Sequence, residues 1–488
     1  MITPRQDPRI VMLLGVPFHD VTMAETLDYL DHLIAERKPA YFATANVDFA
    51  AQASRDVELQ RILFDAELVL CDGTPLLWVS RWLDAPLRER VAGSDLLPHL
   101  FEHAAQKGHR IFFLGATDEV LMEATARAQA NHPGLIIAGS YAPPLSKLLE
   151  MDDTEITRRL REAHPDILLV AFGCPKQEKW IYRNYQNTGV PCAIGIGASL
   201  DFIAGKFKRA PVWMRRTGLE WIFRLLQEPR RLFNRYVLDL GFFALAVAKQ
   251  KRSQKLQHSS AGPLQPSTDE TEFKSFSYIS WSGRVDAHAV ASGVISLPIL
   301  DSAKAGVLLD LSAVTFLDST GLGSIIKLYK ASEASGGRLV IFRPSPGVLQ
   351  VLQVLKIDRL IPLAKDRAEA RKVLDMHDHS QPGEFHYEIG DRSLLWNVSG
   401  NITAQTVPTL LGLILEEWAF VPEAITLLLD LSQVSFMDSS GLGFLLKCLK
   451  MAGKRPGGSC HIVQASPNVL NVIQLARLGP HFGLEASA

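Results

Sequence analysis

The sequence repeats itself at long range. Leu308–Gly323 reads LLDLSAVTFLDSTGLG and Leu428–Gly443 reads LLDLSQVSFMDSSGLG. Downstream, Ser345–Leu349 (SPGVL) returns as Ser466–Leu470 (SPNVL). Two matching blocks in the same order imply a duplicated domain of about 100 residues, an ordinary size for one fold. The apolar runs Val307–Leu311 and Ile425–Leu431 have the length and continuity of buried strands, and the segments after Gly321 and Gly441 have helical period. Each copy therefore reads strand then helix three times over, a small α/β domain.

Upstream, short apolar runs alternate with amphipathic stretches. Tyr41–Thr44, Leu68–Cys71, Arg110–Leu114, Leu135–Ala138, Ile167–Phe172 and Cys192–Gly195 are the expected buried strands. Strands separated by helices predict a Rossmann-like α/β domain with a mainly parallel sheet. Ser253–Ser275 (SQKLQHSSAGPLQPSTDETEFKS) is polar, holds two prolines and has no hydrophobic period, so it reads as a linker; Asp375–Glu384 is a second, shorter break. The expected organisation is a domain over 1–252 whose last part, 205–252, is a basic appendage, a linker at 253–272, the first repeat at 273–376, a linker at 377–384 and the second repeat at 385–488.

Composition removes several classes. A formal charge of -1 over 488 residues argues against a nucleic-acid partner. The five cysteines, Cys71, Cys174, Cys192, Cys448 and Cys460, form no C-x-x-C pair and no zinc spacing with histidine, so reduced thiols and no metal are expected. No cleavable signal is evident near Met1–Phe18, and no run reaches the roughly 20 apolar residues of a membrane span. The expected location is the cytoplasm, peripherally on the inner face of the cell membrane.

Chemistry-bearing groups follow the expected strands. They are Thr44-Ala45-Asn46, Asp72-Gly73-Thr74-Pro75, Gly115-Ala116-Thr117, Gly173-Cys174-Pro175-Lys176-Gln177-Glu178 and Gly195-Ile196-Gly197-Ala198-Ser199. A parallel sheet brings such loops to one edge, where ligands of α/β domains bind. Loop amides at Gly115, Gly173, Gly195 and Gly197 suit a nucleotide diphosphate. Singly, Asp72 is also a turn residue, and Thr44 and Asn46 are also helix caps.

Taken together these segments resemble the WecG/TagA/CpsF family, glycosyltransferase family 26, over roughly Pro8–Lys251. The resemblance rests on TANVDFAAQA from Thr44, CDGTP from Cys71, RVAGSDL from Arg90, FGCPKQEKW from Phe172, GIGASLDFIAG from Gly195 and KRAPVWMRRTGLEWIFRLLQEPRRLFNRY from Lys208. It implies inverting transfer from a UDP-sugar co-substrate to a polyprenyl-diphosphate-linked saccharide, with Asp72 as general base and Thr44, Asn46, Arg90 and Gln177 near the acceptor. Direct displacement needs one base for the acceptor proton, and an ionised aspartate serves. No convincing Asp-x-Asp metal motif is present; Asp152-Asp153 reads as a helix start. Arginines are the natural substitute for a metal at the departing diphosphate. Residues 205–252 hold twelve Lys/Arg against three acids, interleaved with Trp213, Trp221, Phe223, Phe233, Tyr236, Phe242 and Phe243. Arg215, Arg216, Arg224 and Arg231 are the diphosphate candidates. Basic and aromatic residues at helical spacing suit an anionic membrane surface, and equally a helix docked on its own domain.

The repeats resemble STAS domains of the anti-anti-sigma-factor type, over Phe273–Met376 and Phe385–Ala488. Each centres on Asp-Ser-(Thr/Ser)-Gly-Leu-Gly between strand and helix, with the serine expected at the helix N-cap. The resemblance implies phosphorylation at Ser319 and Ser439 by a partner kinase, reversal by a phosphatase, and an anti-sigma-like partner; docking without phosphorylation is the other role such domains have. Two further readings of the whole chain stay open. One is a UDP-sugar sensor that signals without turnover. The other is a nucleotide-dependent oxidoreductase, against which stands the lack of Gly-x-Gly-x-x-Gly after the first strand.

Overall fold

The computed structural model describes residues 8–206, 210–211, 214, 220–227, 241–253, 276–292, 306–335, 337–366, 368–370, 373, 386–390, 392–403, 406–421, 426–476 and 478–484. The chain forms two compact units, Met1–Ala370 and Arg371–Ala488.

The first unit opens with a hairpin, β1 (Ile10–Leu13) and β2 (Val16–His19), paired antiparallel. Leu14 and Gly15 both have positive φ, 54° and 84°, the two-residue turn that matches strand twist. Next come α1 (Met23–Glu36), β3 (Ala40–Ala45), α2 (Val47–Ala53), α3 (Val57–Asp65), β4 (Leu68–Cys71) and α4 (Thr74–Trp82). After these follow α5 (Gly93–Lys107), β5 (Arg110–Gly115), α6 (Asp118–Asn131), β6 (Ile136–Tyr141), α7 (Asp153–Ala163), β7 (Ile167–Ala171), α8 (Lys176–Thr188), β8 (Cys192–Gly195) and α9 (Ser199–Ile203). The appendage contributes α10 (Glu220–Gln227) and a helical stretch, α11, over residues 241–253.

β3 to β8 form one sheet in the order β4-β3-β8-β7-β5-β6, and every pairing is parallel. Side chains of β3, β4, β5, β7 and β8 are nearly all buried because helices cover both faces, so these strands carry continuous apolar runs rather than alternation, while the edge strand β6 is partly exposed. On one face lie Leu30 and Leu33 of α1, Leu97, Leu100 and Phe101 of α5, and Leu121 and Ala124 of α6. α8 packs against β3 and β8, and α3 packs against α8. Helix starts follow local chemistry. Thr22 and Glu25 form a reciprocal capping box at α1, and Asp152 caps α7.

The first repeat belongs to the same unit. It contains β9 (Ser277–Val285), α12 (Ala287–Ala291), β10 (Gly306–Leu317), α13 (Ser319–Ala334), β11 (Arg338–Phe342), α14 (Pro346–Val354) and β12 (Leu363–Ala364). Its strands are all parallel, in the order β12-β11-β10-β9. The aspartate of LLDLS is structural: Asp310 accepts from the Tyr278 hydroxyl (2.6 Å), the Arg343 guanidinium (2.5 Å) and the Ser312 amide (2.8 Å). α13 packs on β10 and β11 and also on β1 of the hairpin. Ile10, Met12 and Phe64 consequently join the hydrophobic core of the repeat, alongside Leu322, Ile325, Ile326 and Tyr329.

The second unit repeats the plan with β13 (His386–Ile389), β14 (Ser393–Ile402), α15 (Val407–Phe420), β15 (Thr426–Met437), α16 (Ser439–Ala452), β16 (Ser459–Ala465) and α17 (Pro467–Leu475). β13 is antiparallel to β14 and the other pairings are parallel. Asp430 accepts from the Ser432 amide at 2.8 Å, as Asp310 does from Ser312.

Phe64 is fully buried where the repeat meets the N-terminal domain. Phe64→Ala should destabilise the first unit by about 3–5 kcal/mol. Urea denaturation checks this, and an unshifted midpoint would contradict the packing.

Candidate active site

The register of the sheet sets the site. Ala45 pairs with Cys71, so β3 and β4 end side by side, and the Asp72 amide donates to the Ala45 carbonyl at 2.9 Å. Asn46 caps α2, its Oδ1 accepting from the Phe49 amide at 3.2 Å. A Cβ at Gly73 would lie 3.9 Å from the Asn46 Cβ. Asn46, half-buried Asp72 and Gly73 thus form one corner beyond the strand ends. Arg90 borders it. Burial pushes the Cys71 thiol up to about 12, the negative charge of Asp72 adds to that, and the positive charge of Arg90 opposes it. Both charges therefore act on the same buried sulfur.

The Arg90 guanidinium is held on two sides. It pairs with Asp95 of its own motif and, at 3.3 Å, with Glu220 at the start of α10. The appendage is thereby tied to the site through an acid that the sequence reading counted only against the basic residues. Arg215, Arg216 and Arg231 lie outside the described residues, as does the side chain of Arg224.

Thr44 and Gln177 are buried and hold the loops. The Thr44 hydroxyl donates to the Gly195 carbonyl at 3.1 Å. Gln177 Oε1 accepts from the Gly173 amide (3.2 Å) and the Gly197 amide (3.0 Å), and its Nε2 donates to Glu178 at 2.7 Å. The Gly173 loop is therefore tied to the Gly195–Gly197 loop by one side chain. Gly195 packs directly on it: a Cβ there would fall 2.8 Å from Gln177 Nε2 and 2.9 Å from Glu178 Oε1. Gly115 is equally constrained, with φ of +105° and only 2.7 Å between an added Cβ and the Ala171 carbonyl.

Glu178 is the acid that sequence reasoning passed over, although it adjoins Gln177 in the quoted motif. It is buried, and desolvation raises its pKa to about 7 against the hydrogen bond from Gln177. Asp48 adds negative charge nearby and accepts from Gln52 at 2.6 Å. Asp152 and Asp153 have structural tasks, as expected of a helix start. Asp152 caps α7, and Asp153 accepts from Trp180 (2.9 Å) and Arg183 (3.1 Å).

Among the described residues, Asp31, His103 and His109 form a group of three metal-ligating side chains. His109 immediately precedes β5, so this cluster sits at the opposite end of the sheet from the loops above. Each imidazole Nε2 lies 2.8 Å from Asp31 Oδ1, and Lys107 pairs with the other oxygen at 3.2 Å. Hydrogen bonds and an ion pair account for it.

The repeats correct one expectation. The N-cap is the aspartate, not the serine. Asp318 Oδ1 accepts from the Thr320 and Gly321 amides, both at 2.8 Å, and Asp438 does the same for Ser440 (2.7 Å) and Gly441 (3.1 Å). A carboxylate satisfies two orphan amides better than a hydroxyl does, so the serine falls one place inside the helix. Ser319 is 1% exposed rather than presented on a surface. The side chain of Ser439 lies outside the described residues.

With this geometry, residues 11–257 match the sequence profile of the glycosyl transferase WecG/TagA/CpsF family. The chain belongs to that family. Residues 273–370 and 385–487 match the STAS domain, so the transferase domain is followed by two STAS domains. A relative from Bacillus spizizenii, named N-acetylglucosaminyldiphosphoundecaprenol N-acetyl-beta-D-mannosaminyltransferase, is 33% identical over 243 residues, covering 49% of this chain and 92% of its own. A Staphylococcus aureus protein of the same name is 27% identical over 252 residues, covering 51% and 97%. Among solved structures, an anti-sigma factor antagonist from Mycobacterium paratuberculosis is 28% identical and covers 22% of this chain and 90% of its own, with a TM-score of 0.20. The transferase domain is a glycosyltransferase. Among the described residues no helix is long and apolar enough to cross a membrane.

Glu178 gives the transferase a pH signature. Its pKa is about 7 in the fold against an ordinary 4.5, so ionisation works against the fold. The favourable neutral state is fully available below about 4.5 and is lost as pH rises to about 7. Glu178→Gln should gain stability relative to the parent between pH 5 and 8, on the order of 3 kcal/mol. Thermal melts at the two pH values measure it, and a pH-independent difference would refute the buried acid.

Proposed function

We propose that the N-terminal domain is an inverting, metal-independent transferase. It moves a sugar from a UDP-sugar to a polyprenyl-diphosphate-linked saccharide in the synthesis of a cell-surface polymer. The observation that carries this is the corner where Asp72 leaves β4 beside Asn46, with the charge of Arg90 acting on the same ground. In the reaction the acceptor hydroxyl attacks the anomeric carbon as its bond to the UDP oxygen breaks on the opposite face. The hydroxyl proton passes to Asp72, and UDP departs with the electron pair. Asn46 and Arg90 orient the acceptor. Thr44 and Gln177 are positioning residues that keep the Gly173, Gly195 and Gly197 loops in place. Arg215, Arg216, Arg224 and Arg231 neutralise the departing diphosphate. The curated relatives are named for an acceptor of this chemistry.

An acceptor with a polyprenyl tail calls for contact with the bilayer. Trp78 and Trp82 stand one turn apart on α4, both about half exposed, while Leu226 of α10 and Leu245 of α11 are also exposed. Aromatic and aliphatic side chains beside a basic segment favour an anionic lipid surface. The STAS domains regulate or dock this activity through a serine kinase and phosphatase or an anti-sigma-like protein.

Asp72→Asn should lower transfer by about 10²–10⁴-fold, the usual worth of a general base, and leave UDP-sugar binding intact. A donor screen against a polyprenyl-diphosphate sugar, with UDP binding followed by calorimetry, reads both. Undiminished turnover would remove Asp72 from the role. Chelation with EDTA should leave the rate unchanged, and a strict demand for added divalent metal would contradict charge neutralisation by arginine.

A further inference from the structure

We infer that the first STAS domain is a latch closed on the transferase over Ser319 and Gln250, and that opening it frees the far end of the basic appendage. Only the last step, an effect on transfer, rests on the proposed activity.

The docked face joins an apolar cluster to buried and partly buried polar contacts. Ile10, Met12 and Phe64 meet Leu322, Ile325, Ile326 and Tyr329. Around them Gln60 donates to the Leu355 carbonyl at 3.1 Å, Lys330 to the Ala66 carbonyl at 2.5 Å and Lys356 to the Ser54 carbonyl. The approach is so close that a Cβ on Gly323 would clash with the Ile10 carbonyl. The helix meeting the transferase is α13, whose first residue is Ser319.

One side chain joins three elements at this point. Gln250 of α11 is 2% exposed. Its Oε1 accepts from the Leu14 amide at 2.9 Å, and its Nε2 donates to the Met12 carbonyl at 3.0 Å and lies 3.3 Å from the Ser319 hydroxyl. The next residue, Lys251, donates to the Trp82 carbonyl (2.7 Å) and pairs with Asp84 (3.0 Å), just beyond α4. α4 in turn starts two residues after Asp72. The appendage is therefore held at Arg90–Glu220 by one end and at the latch by the other.

Ser319 is buried against Gln250 while the latch is closed, so a larger or charged group there meets that side chain. A buried charge there carries a desolvation cost that separation relieves. Such a group displaces Gln250, parts α13 from β1 and releases α11. Closed, the same face of α13 is unavailable to any other protein; open, it is presented.

Hydrogen–deuterium exchange on the full chain tests this without turnover. Ser319→Glu should speed exchange of the Leu14 amide and of residues 241–253 by about tenfold or more, with β10 still protected. Gly323→Leu should do the same through bulk alone, while Ser319→Ala and Asp72→Asn keep the parent pattern. If Ser319→Glu also exposes β10, Gly323→Leu decides. Parent-level protection of Leu14 in Gly323→Leu overturns the latch whether or not any donor supports transfer. With an active donor, Gly323→Leu should change the transfer rate, and an unchanged rate overturns the coupling to the appendage.

Discussion

The pairing of β3 between β4 and β8 is the constraint from which the rest of the transferase follows. Ala45 opposite Cys71 fixes where Asp72 leaves the sheet, and Ala43 opposite Gly195 fixes the loop that Thr44 then binds. A slip of one residue on either side would turn Thr44 away from Gly195 and carry Asp72 out of the corner with Asn46. The helices on both faces bury β3, β4 and β8 throughout, which makes such a slip costly. Charge placement at the rim is therefore decided by hydrophobic packing some distance below it.

Much of this was legible in the sequence. Leu68–Cys71 and Cys192–Gly195 have the bounds expected of them, and the other expected strands of the transferase sheet differ at their ends. The strand-then-helix order of the repeats holds except for two added strands, β12 at the end of the first and β13 ahead of β14 in the second. Continuous apolar runs between turn residues leave few alternatives in a parallel sheet, which is why these elements were readable. The hairpin was not. Ile10–Val16 was visible only as a short apolar run, because the hairpin's partners are β4, which meets β2 where the Val69 amide donates to His19, and α13 of the distant repeat, which meets β1. No local period encodes a surface supplied from so far along the chain.

For the site, residue types and loop positions were readable but their division of labour was not. Gln177 is a plausible ligand in a linear motif, yet in three dimensions its amide oxygen is occupied by two loop amides. Glu178 was hidden because charge and burial cannot be weighed one residue at a time. The capping aspartate of the repeats was misassigned by one place, since serine and aspartate both cap helices and only geometry shows which oxygen faces the amides. The two repeats have also diverged within a shared frame. Asp310 keeps an ion pair with Arg343, whereas the strand beside Asp430 presents Gln464 at its register position.

The hairpin's long-range partnership has a consequence for biogenesis. Gln60 and the Leu355 carbonyl it contacts are 295 residues apart in sequence. During synthesis the transferase sheet is complete well before α13 emerges, so Ile10, Met12 and Phe64 face water until the repeat arrives. An uncovered apolar patch on a nascent domain attracts chaperones and misassembly. The first STAS domain, delivered after the transferase sheet, is the cover laid over that patch.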